Sequence, residues 1–220
     1  MINTKRLRLI IGVLGMCLPI IVLVLSLVYT GVFPDSISAT WYLSQCVTPF
    51  MIILGAASIL LVGYMGYDNH DDIICSLAGV FGLLICLFPC STEDLNLYWT
   101  QISYPNLVGT FNLPFSISAW IHNLSAVGFF GLLSYNSLCL FTKSSGNMTI
   151  EKKKRNMVYK VCGIGMLASL VLIIPIAVLE VFDITLWGAV WGIETVALFF
   201  FGVSWLTKAE CVPFLFVDKK

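Results

Sequence analysis

Charge is what this chain has least of. Asp, Glu, Lys and Arg make up 11% of its 220 residues, where a soluble domain carries roughly a quarter. Between Arg8 and Lys143 there is no Lys or Arg at all. A chain this poor in charge and 59% hydrophobic cannot clothe itself for water, so a soluble domain is excluded. Its net charge is zero, and no basic face is left to track a phosphate backbone, so nucleic acid is excluded as a partner. No stretch of ordinary polar composition is long enough for a second domain, and 1–220 is expected to be a single membrane domain.

Several chemistries are missing as well. The eight cysteines are dispersed without a C-x-x-C pair, and histidine occurs only at His70 and His122, so zinc and iron–sulfur sites have no ligand set. No P-loop, Rossmann glycine pattern or H-E-x-x-H occurs, and no cofactor is expected. After Arg8 the apolar run is too long for a secretory h-region and lacks an A-x-A-like cleavage site, so it is expected to be retained as a span.

What is present is apolar length. Runs of about twenty residues, enough to cross a bilayer core, cover 7–29, 47–66, 73–89, 116–141, 157–181 and 184–206. They predict an all-α, six-helix membrane bundle. With a cytoplasmic N-terminus, Lys5, Arg6, Arg8, Lys143, Lys152, Lys153, Lys154, Arg155, Lys160, Lys208, Lys219 and Lys220 all fall at cytoplasmic ends. That one-sided distribution predicts a multi-pass protein of the cell membrane with both termini inside. The opposite side holds Asp35, Glu93, Asp94 and Asp183, with Trp41, Tyr42, Tyr98, Trp99, Tyr104 and Trp120 as an interfacial aromatic belt.

Glu194 is the residue that most needs a reason. It is placed near the middle of the sixth apolar run, on a helical stripe with Trp187, Trp191, Leu198, Phe201 and Trp205. A carboxylate in lipid must be paired, wet or neutralised. The donor visible by residue type is in the fourth run, where Ser118, His122 and Ser125 share a face. A Glu194–His122 pair can keep a shared proton at lower cost than two separated charges. The plain alternative is a hydrogen bond that only holds helices together, worth about 0.6 kcal/mol on average.

Two further polar groups flank the bundle. In "FPDSISATWYLSQ", Pro34 and Asp35 favour a turn, Ser36 can cap a short helix, and Ser38 and Thr40 can turn hydroxyls toward His122. In "GYMGYDNHDD", Asp68, His70, Asp71 and Asp72 could ligate a divalent metal, yet without calcium-loop spacing they read as a solvated turn paired with the Lys152–Arg155 cluster. Cys46 and Cys90 fall at the outer ends of consecutive spans, where a bridge is possible on an oxidising side.

Taken together, "PDSISATWY", "GYMGYDNHDD", "LAGVFGLLICLFPC", "WIHNLSAVGFF", "YKVCGIGM" and "WGIETVALFFFGVSWLTK" resemble uncharacterised bacterial six-span proteins close to the domain-of-unknown-function 998 family and, more loosely, the Frag1/DRAM/Sfk1 group. The resemblance implies a six-helix membrane bundle of bacterial type, and brings no reaction or ligand with it.

Three functions follow from the residues. The first is a binding or sensing bundle, with an outward-facing cavity formed by Trp41, Tyr42, Ser118, Trp120, Trp187 and Trp191 over His122 and Glu194, taking a lipid-like or small amphipathic ligand beside its membrane lipids. The second is a proton-coupled carrier using Glu194 and His122. The third is an intramembrane hydrolase with Ser38, Thr40 or Ser118 as nucleophile and His122 as base. In the order of its hydroxyl and histidine, the third is similar to the androgen-induced family of intramembrane threonine hydrolases. Binding is the expected class, with enzymatic activity as an alternative.

Overall fold

The structure, a computed structural model, describes residues 4–91, 107–144, 148–181 and 186–211. The expected outer residues Glu93, Asp94, Tyr98, Trp99, Tyr104 and Asp183, and the C-terminal Lys219 and Lys220, lie outside the described residues.

Among the described residues six helices are long and apolar enough to span a membrane. They are α1 (Thr4–Thr30), α2 (Ser44–Val62), α3 (Asn69–Leu87), α4 (Phe115–Tyr135, continued by a π turn over Asn136–Leu140), α5 (Ile150–Val181) and α6 (Ala189–Lys208). A two-residue hairpin, β1 (Leu107–Val108) against β2 (Leu113–Pro114), leads into α4. The expected six-span fold is therefore present, with boundaries moved by local chemistry. Helix α3 begins earlier than expected because the Asp68 side chain accepts from Asp71 N–H and caps it. Helix α6 begins later, because Gly188 takes φ +73°, a left-handed conformation that ends the preceding turn. Glu194 consequently lies in the second turn of α6 rather than near the middle of a span.

Each helix packs on the next in chain order, and α6 closes back on α1, so the six form a ring. Lipid offers helices no hydrophobic reason to associate, so close approach and hydrogen bonds must hold the ring. At the α1–α6 seam a Cβ on Gly12 would stand 3.0 Å from the Gly202 carbonyl oxygen, and one on Gly202 would stand 2.9 Å from that of Gly12. Across other seams Ser134 Oγ donates to the Gly163 carbonyl at 2.7 Å, and Ser137 and Ser204 share a hydrogen bond of 2.6 Å. The interior is filled by Leu18, Phe50, Phe129, Leu133, Phe201 and Trp205, all essentially buried. Ile52, Ile59, Leu124 and Val171 are exposed on the outer circumference, the face a bilayer covers.

One end of the ring is closed by its own chain. Residues 36–43 leave α1, turn inward, form a 3-10 turn (Ser38–Tyr42) and enter α2, and every one of their side chains is buried. Ser36 Oγ accepts from Ala39 N–H at 2.8 Å, the cap its position leads one to expect. Trp41 Nε1 donates to the Cys86 carbonyl at 3.1 Å and Tyr42 OH donates to the Cys90 carbonyl at 2.7 Å, which ties this plug to the end of α3. Cys46 and Cys90 are both free thiols, and Cys46 Sγ donates instead to the Val22 carbonyl.

Candidate functional site

Glu194 is where the plug meets the ring. The segment before the plug lies along one face of α6 and its leading turn. Trp187 Nε1 donates to the Phe33 carbonyl at 3.0 Å, Gly188 N–H to the Asp35 carboxylate, and Trp191 N–H to the Asp35 carbonyl at 2.9 Å. Burial raises the Asp35 carboxyl above the ordinary carboxylate range, and the Gly188 amide partly opposes this. Next along this face, Glu194 Oε2 accepts from Ile37 N–H at 2.6 Å and Oε1 from Ser38 Oγ at 3.3 Å. Positions 187, 191 and 194 recur at helical spacing, so a single face of α6 receives the whole loop.

The expected Glu194–His122 pair is not formed. His122 is 3% exposed and its Nδ1 lies 2.7 Å from the Phe88 carbonyl, with the Ile85 carbonyl also facing the ring. A carbonyl can only accept, so Nδ1 carries the hydrogen. Ser118 Oγ donates to the Pro89 carbonyl at 2.8 Å and Ser125 Oγ to the Ile121 carbonyl at 2.6 Å. The polar face of α4 is spent on the frayed C-terminal carbonyls of α3 and on its own backbone. Acid and imidazole therefore serve different helices.

Beside Glu194 is a cavity of about 40 Å³, lined by Leu18, Phe50, Ile85, Phe129 and Leu198 among others, with Ile37 and Ser38 as its lid. It has room for water and for nothing larger. The four tryptophans expected to wall a cavity take no part in it. Trp41 is buried in the plug, Trp120 is 77% exposed on the outside of α4, Trp187 is 46% exposed, and Trp191 packs edge-on against Phe33 at 5.0 Å. Tyr42 is fully buried and burial drives its phenol well above the ordinary range, so it stays a neutral donor to Cys90. Trp191 Nε1 and Thr195 Oγ1 are buried with no hydrogen-bond partner among the described residues.

The hydroxyl groups expected as nucleophiles are hydrogen-bonded to groups other than His122. Thr40 Oγ1 donates to the Ile37 carbonyl at 2.6 Å, Ser118 to Pro89, and Ser38 to Glu194. Nucleophilic catalysis needs a hydroxyl hydrogen-bonded to an oriented base, and His122 is hydrogen-bonded to none of the three.

At the other end of the ring, Asp68, His70 and Asp71 each bring one potential ligand atom within 4.8 Å of the others. Their carboxylates are already committed. Lys143 Nζ donates to Asp68 at 2.9 Å and to Asp71 at 2.5 Å, Asp71 also accepts from Tyr67 N–H, and Asp72 accepts from Gly66 N–H. The lysine stands where a cation would. The acidic turn thus pairs with Lys143 rather than with the Lys152–Arg155 cluster. Its ammonium holds the Asp68 carboxyl down to about 2.

No family model, characterised protein or solved structure matches this chain. The site must be read from its own geometry. Sequence reasoning missed Ile37, whose contribution is a backbone N–H with no residue-type signature. It also missed the fold-back of 36–43, for which Pro34-Asp35 followed by alternating small and apolar residues was the available signal.

Proposed function

We propose that the plug and Glu194 form a binding or sensing site in a multi-pass protein of the cell membrane, with both termini cytoplasmic and the plug on the outer side. The observation that carries this reading is a membrane carboxylate whose protein partners are neutral donors, Ile37 N–H and the hydroxyl and N–H of Ser38, all on a segment closing the bundle mouth. A cationic donor adds to its hydrogen bond a charge attraction that neither neutral donor supplies. A small amphipathic or lipid-like molecule with a cationic or donor-rich head therefore competes with the plug for Glu194. Its apolar part extends the small cavity among Leu18, Phe50, Phe129 and Leu198.

Trp187 and Trp191 bind the plug's leading segment directly, so their emission reports its release. Titrating the purified protein with a long-chain alkylamine is expected to give a saturable emission shift that the matched long-chain alcohol gives weakly and Glu194→Gln abolishes. An unsaturable shift, or an identical one in Glu194→Gln, contradicts the reading. For orientation, cysteines introduced at the exposed Gln45 and Lys153 in a cysteine-free chain are compared. An impermeant thiol reagent on intact cells is expected to reach position 45 alone, and labelling of position 153 alone reverses the topology.

A further inference from the structure

The end of the ring opposite Glu194 gathers cations. Arg8 opens α1, Lys143 follows α4, Lys152 and Arg155 lie in the first turns of α5, and Lys208 ends α6. Lys143 is neutralised by Asp68 and Asp71. Lys208 has no such partner: among the described residues no carboxylate lies within ion-pair distance of it, although it is only 6% exposed. Its Nζ donates to Tyr67 OH at 3.2 Å and sits 4.6, 4.9 and 5.9 Å from the ring centres of Tyr67, Phe141 and Tyr159. Lys152, Arg8 and Arg155 are its like-charged neighbours, and Asp71 is an opposing charge beyond ion-pair distance. Lys152 Nζ shares the Tyr159 ring at 5.9 Å and donates to the Phe141 carbonyl at 2.9 Å. Ring faces and carbonyls moderate the repulsion of such a cluster, and an anion removes it.

This cluster opens into a pocket of about 600 Å³ lined by Tyr67, Lys143, Ser144, Lys152 and Arg155. Among the described residues every side chain in that lining is a hydrogen-bond donor, and none is a carboxylate. Arg155 is 9% exposed, so the fold holds its planar fork, which suits phosphate oxygens. The Tyr67 oxygen accepts from Lys208, which leaves its own O–H to donate into the pocket and links the buried ammonium to whatever binds there.

We infer that this pocket receives a phosphate-bearing anion, seated as the head group of an anionic phospholipid. A phosphodiester offers only acceptor oxygens and a negative charge, the complement of a donor-only, cation-rich lining. Helix ends lie at head-group depth, where basic pockets between spans take such lipids. The site shares no residue with the Glu194 plug and stands or falls independently of it.

The test uses the full chain purified in neutral detergent, with retention of phosphatidylglycerol and phosphatidylcholine followed by native mass spectrometry. Phosphatidylglycerol is expected to be retained preferentially, and Lys152→Gln with Arg155→Gln to weaken it at least about tenfold, the worth of one charge-assisted hydrogen bond. Lys153→Gln with Lys154→Gln removes the same charge from exposed neighbours and is expected to leave retention unchanged. If the buried Arg155 variant does not fold, Lys152→Gln alone carries the contrast. Inorganic phosphate that raises thermal stability in the wild type, with no preference for phosphatidylglycerol, identifies a soluble anion as the source of the same chemistry. Equal retention of both lipids without a phosphate effect overturns the site. So does equal loss in the two double variants, which reduces the attraction to diffuse surface charge.

Discussion

The two ends of this bundle handle buried polarity in opposite ways. At the plugged end, one carboxylate in the wall of α6 is matched by a backbone amide and a hydroxyl from the same chain, and the cavity beside it is small and mainly apolar. At the basic end, Lys208 and Lys152 are set over aromatic rings, Lys143 is paired to Asp68 and Asp71 and Lys5 to Glu210, and the space around the cluster is large and polar. The first arrangement is closed: each partner of Glu194 is a donor that folding itself supplies, so removing the acid orphans them. The second is open: a donor-lined pocket adjoins the cluster, and in the proposal above an anionic ligand completes it. Structural cost should concentrate at the first end, where a ligand of Glu194 has to displace the plug, and binding without displacement of the chain at the second.

The largest expected effect comes from breaking the closed end. Glu194→Leu leaves Ile37 N–H and the Ser38 hydroxyl without an acceptor, each orphaned donor costing about 1–3 kcal/mol, and should lower the melting temperature in detergent by several degrees. Glu194→Gln keeps an acceptor oxygen for Ile37 and an amide that Ser38 Oγ can accept from, so its loss should be a small fraction of that. Next comes the one closed element at the basic end. Asp71 is 3% exposed and accepts from Tyr67 N–H and Lys143, so Asp71→Ala should cost about 1–3 kcal/mol in chemical denaturation. Smaller still is Lys208→Met, which keeps the stem and removes a buried cation. It should change stability by less than about 1 kcal/mol in either direction, because replacing a buried charge with an apolar group of similar shape is often neutral, while weakening anion retention.

The smallest effect is one of pH. Asp68 is exposed and titrates at about 2 because Lys143 donates to it. A carboxyl lowered in the folded state stabilises fully above its unfolded value of about 3.9, and that contribution fades as pH falls through about 2. Melting temperature followed from pH 5 to pH 2 should show a shallow decline that Asp68→Asn removes, with no added dependence above pH 5.

Apolar length is a local property, and the six spans were accordingly legible in the sequence, five helices falling within about five residues of their apolar runs and α5 starting seven residues before its own. The inward stripe of α6 was legible too, since helical spacing alone places Glu194 with Leu198, Phe201 and Trp205. The partner of Glu194 was not. Residue type pointed to His122, the one histidine in a span, whereas the actual donors are a main-chain amide, which every non-proline residue carries, and a serine read as facing His122. Depth was misjudged for a related reason: the start of α6 depends on the left-handed Gly188, and hydropathy does not register a backbone angle. At the basic end, sequence proximity favoured the Lys152–Arg155 block as the counterweight to the acidic turn, but Lys143 at the end of α4 reaches it first.

The central claim is that Glu194 holds the plug shut, and amide hydrogen exchange over peptides covering residues 34–43 tests it most directly. The wild type should exchange slowly there, Glu194→Gln only slightly faster, and Glu194→Leu at least about tenfold faster, a factor equal to losing about 1.4 kcal/mol of local protection, with α2 and α3 unchanged. Equal protection of the segment in wild type and Glu194→Leu would contradict the account, since the plug would then be held by its contacts to Cys86 and Cys90 and the carboxylate would be incidental to it.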